Sequence, residues 1–472
     1  MKRHGFVAVC SLIGVMAVEF PTASAKSGTP TVRRADAAFV RAQAAASFAQ
    51  DFGRLVQLLG PWAPSWAREI RLPPHTDPQA PLNIVAHRGG VLLFGFHVVD
   101  ADAFADWMTR RAVDHWRHQG LELHVLQTNF PALACLQLGD VAWCQLGAGS
   151  NGVQPLIARS GEPIRPSEDG SSWQLQLDGE SARRWYRDWS TNRLRASAAL
   201  LNPDVRSRRL ESTLKRVERF GRWLELSRTF RLKRMPGHLR AEFTLPMNVQ
   251  AELHRSLAPR HMDPRLVGWS EAPALASLHS RFRPLFLTRW SRLLARFDLR
   301  IPEPDGEGGF AAASFGVDPY CRWSRKRRAP EVDDPTLALS FAFTSAIVIP
   351  TAQSSTTSIR RRAQAGDAPL EVVSTDGMVL LGLGTGAGPA ALRRLHTTRP
   401  REAPSDLVLS GKVDLAALRA ALQGASLSSH HRPELRWLME VQRLPWVRST
   451  RSARIWVRRT GERQLTADLH VR

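Results

Sequence analysis

The chain has 472 residues, enough for two or three domains, and 43% hydrophobic residues with 15 tryptophans, enough for packed cores. Such a composition excludes a disordered chain. The formal charge of +22 favours anionic partners through long-range attraction. Its clusters, Arg325-Lys326-Arg327-Arg328 and Arg360-Arg361-Arg362 among them, are scattered, and none forms a motif that reads base sequence, so no specific nucleic-acid partner is expected.

The first element is a leader. Lys2, Arg3 and His4 give a cationic start, Gly5 to Val18 is almost wholly apolar, and Thr22-Ala23-Ser24-Ala25 supplies small residues. This is the pattern of a cleavable secretory signal peptide over residues 1–25, cut after Ala25. The apolar run is shorter than the ~20 residues a spanning helix needs, and no later stretch is long and apolar enough to span. The mature chain is therefore expected in the periplasm or outside a bacterial cell, and losing Lys2, Arg3 and Glu19 with the leader lowers its charge by only one unit. Of the four cysteines, Cys10 leaves with the leader, and Cys135, Cys144 and Cys321 remain.

Residues 26–79 read as a helical segment, with Phe48, Phe52, Leu55, Val56 and Leu59 at helical spacing. Residues 80–250 read as a first α+β unit. It opens with a strand over Val91 to Val99. A helix capped by Asp100 follows, carrying Phe104, Trp107, Met108, Ala112 and Trp116 on one face and ending at Gly120. Next comes a hairpin turning at Gly139-Asp140, then a short helix, a strand from Trp173, a helix through Trp185, and a hairpin turning at Pro236-Gly237. Residues 251–330 read as a helical connector and loop, with an amphipathic run over Leu285 to Phe297 and an acidic, Gly-rich stretch from Pro302 to Gly309. The basic amphipathic runs here and at Arg206 to Phe220 are suited to peripheral contact with an anionic membrane surface.

Residues 331–472 repeat the pattern. The strand Leu337 to Thr344 stands for Val91 to Val99. The hairpin at Asp376-Gly377, a strong two-residue turn signal, stands for that at Gly139-Asp140. Leu383-Gly384-Thr385-Gly386 aligns with Leu146-Gly147-Ala148-Gly149, and a last hairpin turns near Thr460-Gly461. The expected fold class is α+β: two related copies of a strand-helix-hairpin-helix-strand-helix-hairpin unit, with antiparallel sheets and helices packed on them.

Turn arithmetic gives the sharpest local expectation. With Gly139-Asp140 as the turn, Leu138 faces Val141, Gln137 faces Ala142, Leu136 faces Trp143 and Cys135 faces Cys144. The last is a close, non-hydrogen-bonded pair at about 4.5 Å between Cα atoms. A cross-strand disulfide Cys135–Cys144 is predicted. The aligned pair in the second copy is Val372 and Leu381.

Several stretches carry chemistry-bearing residues. Gly147-Ala148-Gly149-Ser150-Asn151-Gly152 has the form G-x-G-x-x-G after a strand, and Gly382 to Gly388 is similar. Either would suit a phosphate cradle, yet the preceding strand belongs to a hairpin, which fits a structural turn better than a dinucleotide site. Ala86-His87-Arg88-Gly89-Gly90 resembles the His-Arg-Gly element at the start of glycerophosphodiester phosphodiesterases. That family's Pro-Glu-Asn-Thr element is absent, and the residues also suit a loop before the Val91 strand. His430-His431 lacks metal-ligand spacing, and Asp100 with Asp102 is a carboxylate pair of a kind any long chain holds. Trp185, Tyr186 and Trp189 suit either a stacking surface or a core.

No catalytic, cofactor-binding or metal residue is assigned from sequence. The expected function is that of an exported envelope protein, a binding or structural module for an anionic envelope component or another envelope protein. The alternative is an exported hydrolase with an active site between the two repeats.

Overall fold

Two-residue turns determine much of the architecture. At Asp376-Gly377 both residues take positive φ, 46° and 71°, the type I′ geometry that matches strand twist. Thr375 consequently faces Met378, and Val372 faces Leu381. At Gly139-Asp140 the glycine alone is positive, at 61°, and the ladder runs Leu138↔Val141 to Leu133↔Leu146. The structure, a computed structural model, describes residues 36–59, 72–87, 90–118, 120–126, 133–146, 152–167, 169–198, 229–244, 262–281, 309–317, 343–350, 359–365, 368–424, 443–461 and 464–472. The leader with Ala25, the runs Arg206 to Phe220 and Leu285 to Phe297, Gly147 to Asn151, Cys321 and His430-His431 lie outside these residues.

The described residues fall into two compact units. The N-terminal unit contains, in chain order, β1 (Asp36–Ala42), α1 (Ala45–Leu59) as far as Arg54, β2 (Leu82–His87), β3 (Val91–His97), α2 (Ala101–Arg111), β4 (Ala112–His118), β5 (Leu121–Leu126), β6 (Leu133–Leu138), β7 (Val141–Leu146), α3 (Gln154–Arg159), β8 (Trp173–Asp178), α4 (Gly179–Ala198), β9 (Thr229–Met235) and β10 (His238–Thr244). Every pairing is antiparallel, and the sheet order is β4-β5-β6-β7-β3-β2-β1-β8-β9-β10.

The C-terminal unit contains α5 (Pro264–Glu271), β11 (Ala276–Ser280), β12 (Phe310–Val317), β13 (Phe343–Pro350), β14 (Ile359–Ala365), β15 (Ala368–Thr375), β16 (Met378–Leu383), α6 (Ala387–Thr397), β17 (Leu407–Asp414), α7 (Leu415–Gly424), α8 (Pro445–Arg448), β18 (Ser452–Arg459) and β19 (Gln464–Val471). Its order is β14-β15-β16-β13-β12-β11-β17-β18-β19.

This architecture corrects the expected α+β class. The chain is built mainly of antiparallel strands with few helices, not of helices packed on sheets in two repeats. The helical segment at 26–79 contains β1, which pairs with β2 on one side and β8 on the other. The connector at 251–330 contains β11 and β12, both interior strands. The helix expected to reach Gly120 stops at Arg111, where Ala112 turns extended at φ −63°, ψ 128°. Ala112 and Trp116 belong to β4, not to the helical face. Trp116 is 46% exposed and its ring N–H donates to Asp114 at 2.6 Å. Phe104 and Met108 are the buried residues of α2, and the half-buried Trp107 packs against the same core.

In the N-terminal unit one sheet face carries the larger core. Phe94, Phe96, Cys135, Cys144 and Trp173 meet Phe104 and Met108 of α2, Phe48 of α1 and Trp185 of α4. The opposite face over β2 to β7 packs Leu93, Leu136 and Trp143 against Leu156 of α3 and Ile164. In the C-terminal unit, α5 and α6 set Leu266, Trp269 and Ala391 on Ala311, Ala346, Val348 and Leu380. On the other face, Leu418 and Leu422 of α7 pack on Val413.

Candidate functional site

The sequence-derived candidates fall in places that local geometry explains. Cys135 and Cys144 face each other in the β6–β7 ladder at disulfide-bonding distance, with Cα atoms 4.1 Å apart, and both are fully buried. His87 ends β2 and faces Val91 across a hairpin loop whose described residue, Gly90, has φ 78°. His87 and Gly90 thus flank the β2–β3 connection, and Arg88 and Gly89 lie outside the described residues. The ring N–H of Trp185 donates to the Val91 carbonyl at 3.0 Å and its body packs into the core. That placement commits it to the fold rather than to stacking a ligand. Asp100 caps α2, accepting from the Ala103 amide at 2.9 Å, and Asp102 lies in that helix's first turn.

The stretch Gly382 to Gly388 is explained by close approach. A side chain on Gly382 would run into the backbone of Gly388, and one on Gly388 into the carboxylate of Glu371. Gly386, at φ 76°, is the N-cap of α6. The buried Glu371 on β15 therefore brings a negative charge to the positive end of α6. The helix terminus that a phosphate would use already faces a carboxylate of the chain itself.

A polar cluster that sequence reading missed lies where α5 ends against β11. Helices leave their last carbonyls without internal partners, and here the chain supplies donors from three elements. Arg394 of α6 donates to the carbonyls of Trp269, Ala272 and Pro273. Ser277 of β11 donates to Ser270 at 2.6 Å, and Lys412 of β17 donates to Glu271. Two cations thus sit at the negative end of the helix dipole. The Arg394 guanidinium lies 4.9 Å from the Trp269 ring centre and 5.4 Å from that of Phe315. Burial pushes it down to about 10, which leaves it charged at neutral pH.

Within this cluster Ser270 Oγ is 2.6 Å from His279 Nδ1, a pair of the kind used for nucleophilic catalysis. Its surroundings give it a different role. Both residues are 2% exposed, and Ser270 also donates to the Val267 carbonyl at 2.9 Å. A hydroxyl has one proton, so the consistent chain runs from His279 Nδ1–H to Ser270 Oγ and from Ser270 Oγ–H to Val267. His279 is then a donor to the serine, not a base for it. Burial is the main cause pushing His279 down to about 4, with Arg281 adding to it and Glu271 opposing, so the ring is neutral. Its Nε2 is buried without a hydrogen-bond partner among the described residues. The pair ties α5 to β11.

In the N-terminal unit, His115 and His124 stack on adjacent strands with ring centres 5.4 Å apart. Burial first, then His115, hold His124 below its ordinary range, against Glu122. Among the described residues no group of three or more His, Cys, Asp or Glu side chains is placed to hold a metal.

The remaining charge is at the surface. In β18 the burial alternates. Ile455 and Val457 are buried, whereas Arg454 and Arg458 are exposed on the opposite face with the half-buried Trp456 between them. The register puts Lys412, Arg454 and His470 in one row across β17, β18 and β19, and Ser410, Trp456 and Asp468 in the next. Arg401, exposed, donates its backbone N–H to the Pro264 carbonyl at 2.9 Å and lies near enough to push Lys412 down electrostatically, after burial.

Together these features define a protein of antiparallel sheets whose buried polar groups serve packing and which sets two exposed arginines on one outer face of β18. Comparison with family models, curated proteins and solved structures finds no match.

Proposed function

We propose that the chain is an exported envelope protein, a binding or structural module that holds an anionic envelope component or another envelope protein. The observation that carries this reading is a surplus of exposed positive charge. Arg401, Arg454 and Arg458 have no ion-pair partner among the described residues, on a chain whose formal charge is +22. Unanswered charge of one sign keeps raising the local concentration of the other. Two features support export. The leader pattern ending at Ala25 is one. The other is the Cys135–Cys144 pair at bonding distance, since disulfides form and persist in oxidising compartments.

The test expresses the full chain in a Gram-negative host and follows its product. The expected outcome is a mature form beginning after Ala25 outside the cytoplasm, retained on washed envelopes at low salt and released at high salt. A product that keeps residues 1–25 in the cytoplasm, or one that washed envelopes do not retain, contradicts the proposal.

A further inference from the structure

Helix α7 packs Leu418 and Leu422 on Val413 of β17 and also contacts β18, so Lys412, the residue before Val413, lies on the face turned away from it. Helices α5 and α6 cover the neighbour strands β11, β12 and β13 and stop at β17, where Lys412 reaches back to the last carbonyl of α5. Beyond that boundary the strand period places every second residue on the outer face. The charged and aromatic residues among them are Lys412 and Asp414 from β17, Arg454, Trp456 and Arg458 from β18, and Asp468 and His470 from β19, with Arg401 close enough to act on Lys412. The Trp456 ring meets the His470 ring edge-on at 5.1 Å. Among the described residues the carboxylates on this side are Glu271, Asp414 and Asp468, against the cations Lys412, Arg401, Arg454 and Arg458.

We propose that this face is a membrane-contact surface, on which Arg401, Arg454 and Arg458 engage the phosphates of anionic lipid headgroups and Trp456 enters the interfacial layer. The inference rests on the anionic-component reading above and names its site and ligand class. Charge complementarity is the first argument. The cations already act on one another: after burial, Arg394, Arg454 and Arg401 all push Lys412 down, with Glu271 opposing them. A phosphate layer would relieve that repulsion.

Shape is the second argument. Arg454 and Arg458 stand exposed along a strand, whereas small-ligand sites enclose most of their ligand's surface. An open row of cations gains affinity when many anions are presented together, and a lipid surface does so. The aromatic at the centre of the row adds a third argument. Tryptophan favours the headgroup level, where an apolar body meets a polar edge.

The experiment is vesicle co-sedimentation of the purified mature protein. It compares phosphatidylcholine vesicles, vesicles with added phosphatidylglycerol, and phosphatidylglycerol vesicles with excess inorganic phosphate or a soluble sugar phosphate. The variant is Arg401→Gln/Arg454→Gln/Arg458→Gln. Lys412 is left in place because it caps α5. A control triple, Arg110→Gln/Arg111→Gln/Arg117→Gln, removes equal charge from the N-terminal unit.

Each cation near an anionic surface is worth about fivefold in affinity, so the variant should bind phosphatidylglycerol vesicles roughly a hundredfold more weakly. The control should bind more strongly than the variant, and a second variant, Trp456→Ala, should weaken binding with no change of charge. Equal loss in variant and control, or vesicle binding that either soluble phosphate abolishes, overturns the site while leaving the anionic-component reading intact. Binding to washed envelopes without binding to phosphatidylglycerol vesicles does the same. Failure to bind either overturns both. Unchanged urea midpoints in the three variants establish that the changes act on binding.

Discussion

Protonating His279 should destabilise the fold, and the effect can be sized. The ring is buried, hydrogen-bonded to Ser270, and held at about 4. In the unfolded chain a histidine titrates near 6.5. Because the folded value is the lower one, protons bind the unfolded state better. Stability from this group is therefore complete above pH ~6.5, falls as the pH drops through the window from ~6.5 to 4, and is constant below it. A separation of about 2.5 units corresponds to roughly 3 kcal/mol, a large share of the 5–15 kcal/mol typical of whole domains.

His279→Asn keeps a donor in the place of Nδ1 and removes the titration, at a cost of about 1–2 kcal/mol at neutral pH from lost packing. Urea unfolding of both proteins from pH 7.5 to 4.5 supplies the measurement. Other titrating groups, His124 included, cancel in the difference between wild type and variant. That difference should shrink as the pH falls and reverse sign near the lower end. A difference that stays constant across the range would refute the assignment of a buried neutral ring.

Other perturbations probe separate parts of the account. Reducing the Cys135–Cys144 bond should lower stability by about 2–3 kcal/mol, as expected for a short loop, and an unchanged urea midpoint in reductant would contradict it. Arg394→Met should cost about 3–5 kcal/mol by leaving the Trp269, Ala272 and Pro273 carbonyls buried and unanswered, with Arg394→Lys recovering only part. A thermal shift of a degree or less would show that the caps contribute little. Gly388→Ala should destabilise by about 1–3 kcal/mol through overpacking against Glu371, and Gly388→Ala/Glu371→Ala should recover part of that loss if the steric reading is right.

Local signals carried the parts of the fold that local physics decides. The Asp376-Gly377 and Gly139-Asp140 turns fix their ladders because a two-residue loop leaves one register, and from the second of these the Cys135–Cys144 pairing follows. Asp100 caps a helix because its side chain reaches an amide three residues on. The misreadings share a different cause. Ala112 and Trp116 continue the helical spacing of Phe104 and Met108, so the pattern is silent about the change of backbone at Arg111 that pairs β4 with β5. β1 has interior neighbours from two distant segments, and β11 and β12 lie in a stretch whose helical periodicity masked them. In each, long-range pairing overrode local preference.

These misreadings explain why the expected class gave too much weight to helices. The polar cluster was illegible for the same reason. Ser270 and His279 meet because a helix ends and a strand returns beside it, and Arg394 arrives from more than a hundred residues away. A single sequence carries no spacing rule for such a meeting. The exposed arginines were visible as composition, but strand register was needed to put Arg454 and Arg458 on one face with Lys412.

The most direct test of the central claim is the salt dependence of binding between the mature protein and phosphatidylglycerol vesicles. Screening shortens the reach of exposed charges from about 10 Å at 0.1 M salt to about 3 Å at 1 M. The account predicts strong association at low salt, at least a tenfold loss by about 0.3 M, and a flatter salt curve for Arg401→Gln/Arg454→Gln/Arg458→Gln. Association that is independent of salt, or equal on neutral vesicles, would contradict it.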